Sequence, residues 1–181
     1  MGNVVTPELI ETHVTITRSF VGEESFLRQF SATVSYQSDS GPQEIGSVWG
    51  WIGWQSDEED IFDAADAISH DAMTLGAAAV EIVQSNPDVF IDNILLIDRM
   101  EIGAQYRGNR LSGAIIADLL SLLRLDPDRT AVVLEPEPQA STGGPLEDGP
   151  VRDAALERLT SAYRASGLEP WRQSTIWWLP L

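Results

Sequence analysis

The chain has 181 residues, 43% hydrophobic and 22% charged, without a single cysteine, which excludes disulfides, zinc ribbons, thiol nucleophiles and thiolate-held iron–sulfur clusters together. All 11 basic residues are arginine, set against 28 acids for a formal net charge of −17; without lysine there is no Walker-type phosphate loop, no Schiff-base enzyme and no protein kinase. Such a charge disfavours nucleic acid and favours cationic partners, and His13 and His70 are too few imidazoles for most transition-metal sites, so no metal is expected.

Length predicts one domain over residues 1–181 with one core, and no apolar run approaches the roughly 20 residues of a membrane-spanning helix. The opening MGNVVTPELIE lacks the basic and apolar regions of a secretory signal, so a cytoplasmic protein away from the membrane is expected. Residues 13–20 and 31–37 alternate apolar with polar side chains, the period of half-buried strands, and SDSGPQ reads as a turn. A third antiparallel strand is predicted over 44–54, where Gly46, Gly50 and Gly53 fit a strand that bends or meets another backbone closely.

Ser56 followed by Asp57, Glu58 and Glu59 predicts a capped helix start, and DEED reads as its solvated first turn. Ile61, Ala65, Ile68 and Ala72 share one face, the pattern continues through Leu75, Ala79 and Val83 to Asn86-Pro87, and Gly76 is the candidate division into two helices. Residues 89–102, nearly continuous in apolar character, predict a central strand covered on both faces. Leu111, Ile115, Leu119 and Leu122 then recur at helical spacing, AVVLEP is a short strand, and the Pro-, Gly- and acid-rich stretch 135–150 is a surface loop. A helix opens at Pro150 with Val151, Ala155, Leu159 and Ala162 on one face and ends at Gly167; STIWWLPL is a β-prone tail.

The chemistry concentrates in QYRGNRLSGAII, residues 105–116. A turn between a strand and a helix N-terminus offers free backbone N–H groups and a positive dipole to an anion, and Gly108 permits close approach. Residues 99–110 hold Arg99, Arg107 and Arg110 with one acid, Glu101, a local +2 within a chain of −17. The same features also describe a glycine-containing turn with solvated arginines. Ser69-His70-Asp71 is not a hydrolytic triad, because consecutive helical residues point about 100° apart. Trp49, Trp51, Trp54 and the pair Trp177-Trp178 read as core or dimer-interface residues, with an aromatic substrate pocket as the alternative.

Ile102 to Ser112, I-G-A-Q-Y-R-G-N-R-L-S, resembles the strand end and R-G-x-G-x-G turn of the GNAT superfamily of acetyl-CoA-dependent N-acyltransferases, and Tyr163-Arg164-Ala165-Ser166-Gly167-Leu168 is similar to the family's later Y-x-x-x-G-F. The resemblance covers residues 94–124 and 156–181. It departs at Arg110 and Ser112, where the family has glycine; a Cβ there narrows both conformation and approach. The resemblance implies an α/β fold of the α+β kind, a mixed, mostly antiparallel sheet flanked by helices. It further implies acetyl-CoA held by Met100, Ile102, Arg107, Gly108, Asn109, Arg110, Leu111, Ser112 and Gly113.

Direct acyl transfer needs one group to take a proton from the amine and one to protonate the departing thiolate. The resemblance makes Glu101 the base and Tyr163 the acid. Against these roles stand an ion pair of Glu101 with Arg99 or Arg107 and plain core packing of Tyr163. The expected acceptor is a cationic small-molecule or peptide amine, and a homodimer is the candidate assembly. The alternatives are a GNAT-fold interaction protein whose cofactor site Arg110 and Ser112 have spoiled, and an acidic mimic of nucleic acid.

Overall fold

A computed structural model describes residues 5–17, 26–54, 58–140 and 144–181, with Glu58 and Glu59 described in their backbone alone. The described chain is a mixed α/β structure around one seven-stranded sheet. Its strands are β1 (Ile10–Thr17), β2 (Arg28–Ser38), β3 (Gly41–Trp54), β4 (Asn93–Ile102), β5 (Thr130–Leu134), β6 (Glu169–Pro170) and β7 (Trp177–Leu179), in the spatial order β1-β2-β3-β4-β5-β7-β6. Only β4 and β5 run parallel; every other neighbouring pair is antiparallel. The three antiparallel strands expected at the start are therefore present. β1 begins three residues earlier than expected, and its predicted continuation into 18–20 lies outside the described residues.

Among the described residues four α-helices flank the sheet: α1 (Glu58–Asp66), α2 (His70–Ser85), α3 (Leu111–Leu122) and α4 (Pro150–Ala165). Alternation along β4 sends Leu95 and Ile97 into one apolar cluster with Leu111, Ile115 and Leu119 of α3 and Tyr163 of α4. Ile94 and Leu96 enter a second cluster with Ile61 and Ala65 of α1 and Ala72, Leu75 and Ile82 of α2. A strand buried on both faces has no polar phase, which is why its sequence reads as one apolar run.

Several boundaries differ from the sequence reading. The predicted capping box at Ser56 and Asp57 lies outside the described residues. The helical segment divides at Ala67–Ser69, where the Ser69 hydroxyl accepts the Ala72 N–H at 3.1 Å and caps α2. Gly76 instead sits inside α2, where an added Cβ would come 2.6 Å from the Ala65 Cβ, so the glycine lets α1 and α2 close together. Ser69 is thus a cap, and His70 and Asp71 open a helix. β4 starts at Asn93 rather than residue 89, leaving Phe90 exposed with the Arg129 guanidinium stacked 4.7 Å from its ring. Ile68, Leu122 and Val151, expected on apolar faces, are exposed.

The three-strand meander meets β4 through close backbone contacts and one register step. Cβ atoms built at Gly46 and Gly50 would fall 2.3 and 2.0 Å from the carbonyl oxygens of Glu101 and Leu96, so these glycines admit the close backbone contact the sequence suggested. Beside Gly50 the register steps from Trp49↔Arg99 to Gly50↔Ile97, leaving Asp98 as an extra residue on β4.

Candidate functional site

The cleft owes its existence to the ends of β4 and β5. They pair from Asn93↔Thr130 to Ile97↔Leu134 and no further, although β4 continues to Ile102. Beyond β5 come Pro136 and Pro138, which lack the N–H that would extend the ladder. Asp98 bulges out of β4 at the same level, so the two strands part and leave one edge of β4 open. The Glu101 carbonyl lies against Gly46 of β3. Antiparallel alternation then turns the peptide groups of Met100 and Ile102 to the open edge. There the Ile102 carbonyl accepts the Arg107 Nε–H at 2.8 Å.

Between that edge, the turn into α3, the segment after β5 and the inner side of α4 lies a cleft of ≈ 640 Å³, within the roughly 300–1,000 Å³ of small-molecule sites. Met100, Glu101, Ile102, Arg107, Gly108, Asn109, Arg110, Leu111, Ser112 and Tyr163 all line it. Ten of the eleven residues singled out in the sequence thus converge. Gly113 is the exception: its N–H donates to Ser166 Oγ at 3.1 Å, outside the cleft wall.

The turn has the conformation that glycines would give it. Gly108 has φ 86°, and a Cβ added there would meet nothing within 4 Å; Arg110 takes a left-handed φ of 56° as the residue preceding α3. A non-glycine residue there costs roughly 1–2 kcal/mol. Arg110 offers no capping side chain, so the first-turn amides of Leu111 and Ser112 keep the anion-binding character of a helix start. Asn109 is committed to the scaffold: its Oδ1 accepts the Val5 N–H at 3.1 Å and its Nδ2 donates to the Tyr106 carbonyl at 2.8 Å. Arg107 ties the site together, since its Nη1 also donates to the Gln139 carbonyl at 3.1 Å.

Arg107, Arg110 and Arg158 face the cleft, and among the described residues none of them stands in an ion pair. Glu101, Glu137 and Glu157 line the same cleft, so its wall balances three arginines against three acids within a chain of −17. Glu101 pairs with Arg99 rather than Arg107, at 3.7 Å, and keeps 29% of its side chain exposed.

Tyr163 projects from α4 and is 4% exposed. Its ring meets Trp177 edge-on at 6.2 Å, and among the described residues its hydroxyl has no hydrogen-bond partner. Burial raises the phenol above its ordinary value of 10.0, so it stays protonated at neutral pH. The packing alternative holds, since the ring is core, and the residue also lines the cleft. Trp49, Trp51, Trp54, Trp177 and Trp178 do not line the cleft, so no aromatic substrate pocket forms there; Trp177 is core and buttresses Tyr163.

Sequence reasoning missed Glu137, Pro138 and Gln139 after β5, and Ser166 at the end of α4. The first three sit in a stretch whose composition reads only as surface loop, and nothing local in them signals a cleft wall. Comparison of the chain with protein families, with curated proteins and with solved structures finds no match.

Proposed function

We propose that the chain is a GNAT-type N-acyltransferase that moves an acetyl or similar acyl group from acyl-CoA to an amine by direct transfer. The observation that carries this reading is the meeting, in one cleft, of an anion-binding turn with unpaired arginines and a buried phenol with no hydrogen-bond partner among the described residues. The Arg107–Ser112 turn would hold the diphosphate of the donor, with Arg107 and Arg110 supplying charge and the amides of Leu111 and Ser112 supplying donors. The open edge at Met100 and Ile102 suits an extended, amide-bearing arm.

In the reaction the amine nitrogen forms a C–N bond to the thioester carbonyl and the C–S bond breaks. Glu101 is the candidate acceptor of the amine proton, held in place by Arg99. Tyr163 serves the departing sulfur. Its pKa lies above that of an ordinary thiol, about 8.5, so it stabilises the departing thiolate by donating a hydrogen bond, and the proton that Glu101 takes from the amine passes to solvent. The net charge favours a cationic acceptor such as a polyamine, an aminoglycoside or a basic peptide. Among the described residues no helix is long and apolar enough to cross a membrane, and a cytoplasmic setting accords with that.

One observation favours a second reading, a GNAT-fold binding protein without chemistry: Ser166 already occupies the Gly113 amide, so the α3 N-terminus offers an anion fewer donors. An acyl-transfer assay separates the two. Acetyl-CoA with a panel of cationic amines should release free CoA in step with N-acetylated product; neither acetyl-CoA binding nor turnover on any amine would favour the second reading.

A further inference from the structure

Phe30, Ala32, Val34 and Val48 of β2 and β3 enter the apolar cluster shared with α3, so alternation sends Ser31, Thr33, Ser47 and Trp49 to the other face of the sheet. On that face α1 and α2 pack with Ile94 and Leu96 of β4 and with Ala131 and Val133 of β5. Over β1, β2 and β3 it stays open: Thr15 and Thr33 are exposed, and Ser31 and Ser47 are half-buried.

Trp49 stands in the middle of this polar surface with 37% of its area in water. The register sets Ser31 and then Thr15 on one flank and Arg99 on the other. Among the described residues the Trp49 ring has no aromatic or cationic partner, whereas Trp54, Trp171, Trp177 and Trp178 each have one. The hydroxyls of Thr15, Ser31, Thr33 and Ser47 have no hydrogen-bond partner among the described residues either. The face is also acidic. Glu11 and Glu44 stand on either side of Ser35, Glu101 stands opposite Ser47, and the Arg99 guanidinium is already paired with Glu101 at 3.7 Å.

We propose that this face binds a sugar ring that carries a free amino group, as in an oligosaccharide of glucosamine. The C–H groups of a pyranose ring are slightly positive and stack on the negative π face of Trp49. Its hydroxyls find the free hydroxyls of Ser31, Thr33 and Ser47, each able both to donate and to accept. Its ammonium is drawn to the carboxylates of the same face. A linear polyamine would leave the indole and the hydroxyls unused, and a neutral sugar would leave the charge unused. The surface lies on the side of the sheet away from the α3–α4 cleft, with Glu101 bordering both, and binding there does not depend on the acyl-CoA reading.

The test is calorimetric titration of a β-1,4-linked glucosamine tetramer, without acetyl-CoA, into the wild-type chain, Trp49→Thr and Trp49→Tyr, with thermal unfolding of each. The N-acetylated tetramer and spermine serve as comparison ligands. Saturable binding of the glucosamine tetramer is expected, with both comparison ligands at least about tenfold weaker. Trp49→Thr should weaken binding about tenfold or more, and Trp49→Tyr, which keeps a stacking ring, should retain it. Thr33→Arg, at an exposed strand position, adds a cation to the face and should also weaken binding about tenfold; it carries the test if Trp49→Thr does not fold. No saturable heat at about millimolar tetramer, or wild-type affinity in both Trp49→Thr and Thr33→Arg, would overturn the proposal. Spermine binding as tightly as the tetramer would reduce the face to a charged surface and overturn it too. Equal affinity for the N-acetylated tetramer would remove the amino group from recognition and overturn the ligand class.

Discussion

Ser112 Oγ lies 3.1 Å from Ser166 Oγ, joining the first turn of α3 to the end of α4. The Ser166 proton goes to the Ala162 carbonyl at 3.0 Å, so Ser112 donates to Ser166, which also accepts the Gly113 N–H. One hydroxyl thereby uses its single donor and both acceptor sites. Ser112 is therefore accommodated by a specific partner, and the clasp fixes the turn relative to Tyr163, three residues before Ser166.

Ser166→Ala should lower stability by about 1–2 kcal/mol, because it strands the Gly113 N–H and the Ser112 hydroxyl. For a chain of this size that is a fall of about 2–8 °C in melting temperature. Thermal unfolding checks it, and an unchanged midpoint would show that the clasp contributes nothing.

Arg110→Gly should move stability and binding in opposite directions. Glycine relieves the left-handed strain, a gain of up to about 1 kcal/mol after its own unfolded-state entropy is set against it. Affinity for acetyl-CoA should fall, and its salt dependence should weaken, because one unpaired cation leaves the cleft. Titration at two salt concentrations together with unfolding reads both effects.

Burial raises the carboxyl of Asp98 at the β4 bulge; Arg99 lowers it, and Asp71 and Glu137 raise it further. A carboxyl with a raised folded-state value binds protons more tightly in the folded than in the unfolded chain. Its contribution is fully present below the ordinary value of 3.8 and is lost as pH rises through the higher folded value. Asp98→Asn should therefore stabilise the protein at about pH 7 and give little advantage near pH 4. Melting curves at the two pH values test the sign; an advantage that is equal at both would contradict it.

The sequence was most legible where the physics is local. Period-two alternation marks β1 and β2, the unbroken apolar run marks β4, and Leu111, Ile115 and Leu119 mark α3, because each pattern follows from which faces are covered. The turn at 107–112 was legible for the same reason: glycine, arginines and a helix start are neighbours in sequence. The division between α1 and α2 was misplaced because a mid-helix glycine reads as a breaker, whereas Gly76 serves a contact with Ala65 that only the tertiary fold defines. Phe90 belongs to the apolar run and Leu122 to the helical series, yet both are exposed, since pattern assigns a face without saying what covers it. Gln139 joins the cleft and Ser166 braces the turn from 32 and 54 residues beyond their partners Arg107 and Ser112, and only topology brings them there.

Tyr163→Phe keeps the ring that packs on Trp177 and removes only the hydroxyl. In an assay limited by chemistry, kcat should fall roughly tenfold or more with donor affinity nearly unchanged, the pattern of a group acting mainly in the transition state. An unchanged kcat would leave Tyr163 with a packing role alone.

The central claim is that the Arg107–Ser112 turn and its cleft hold an acyl-CoA, and titration of acetyl-CoA into the purified chain tests it most directly. Binding heat that shrinks with added salt, together with a rise in melting temperature as ligand exceeds its dissociation constant, is the predicted result. No heat and no thermal shift at about millimolar acetyl-CoA would contradict the account.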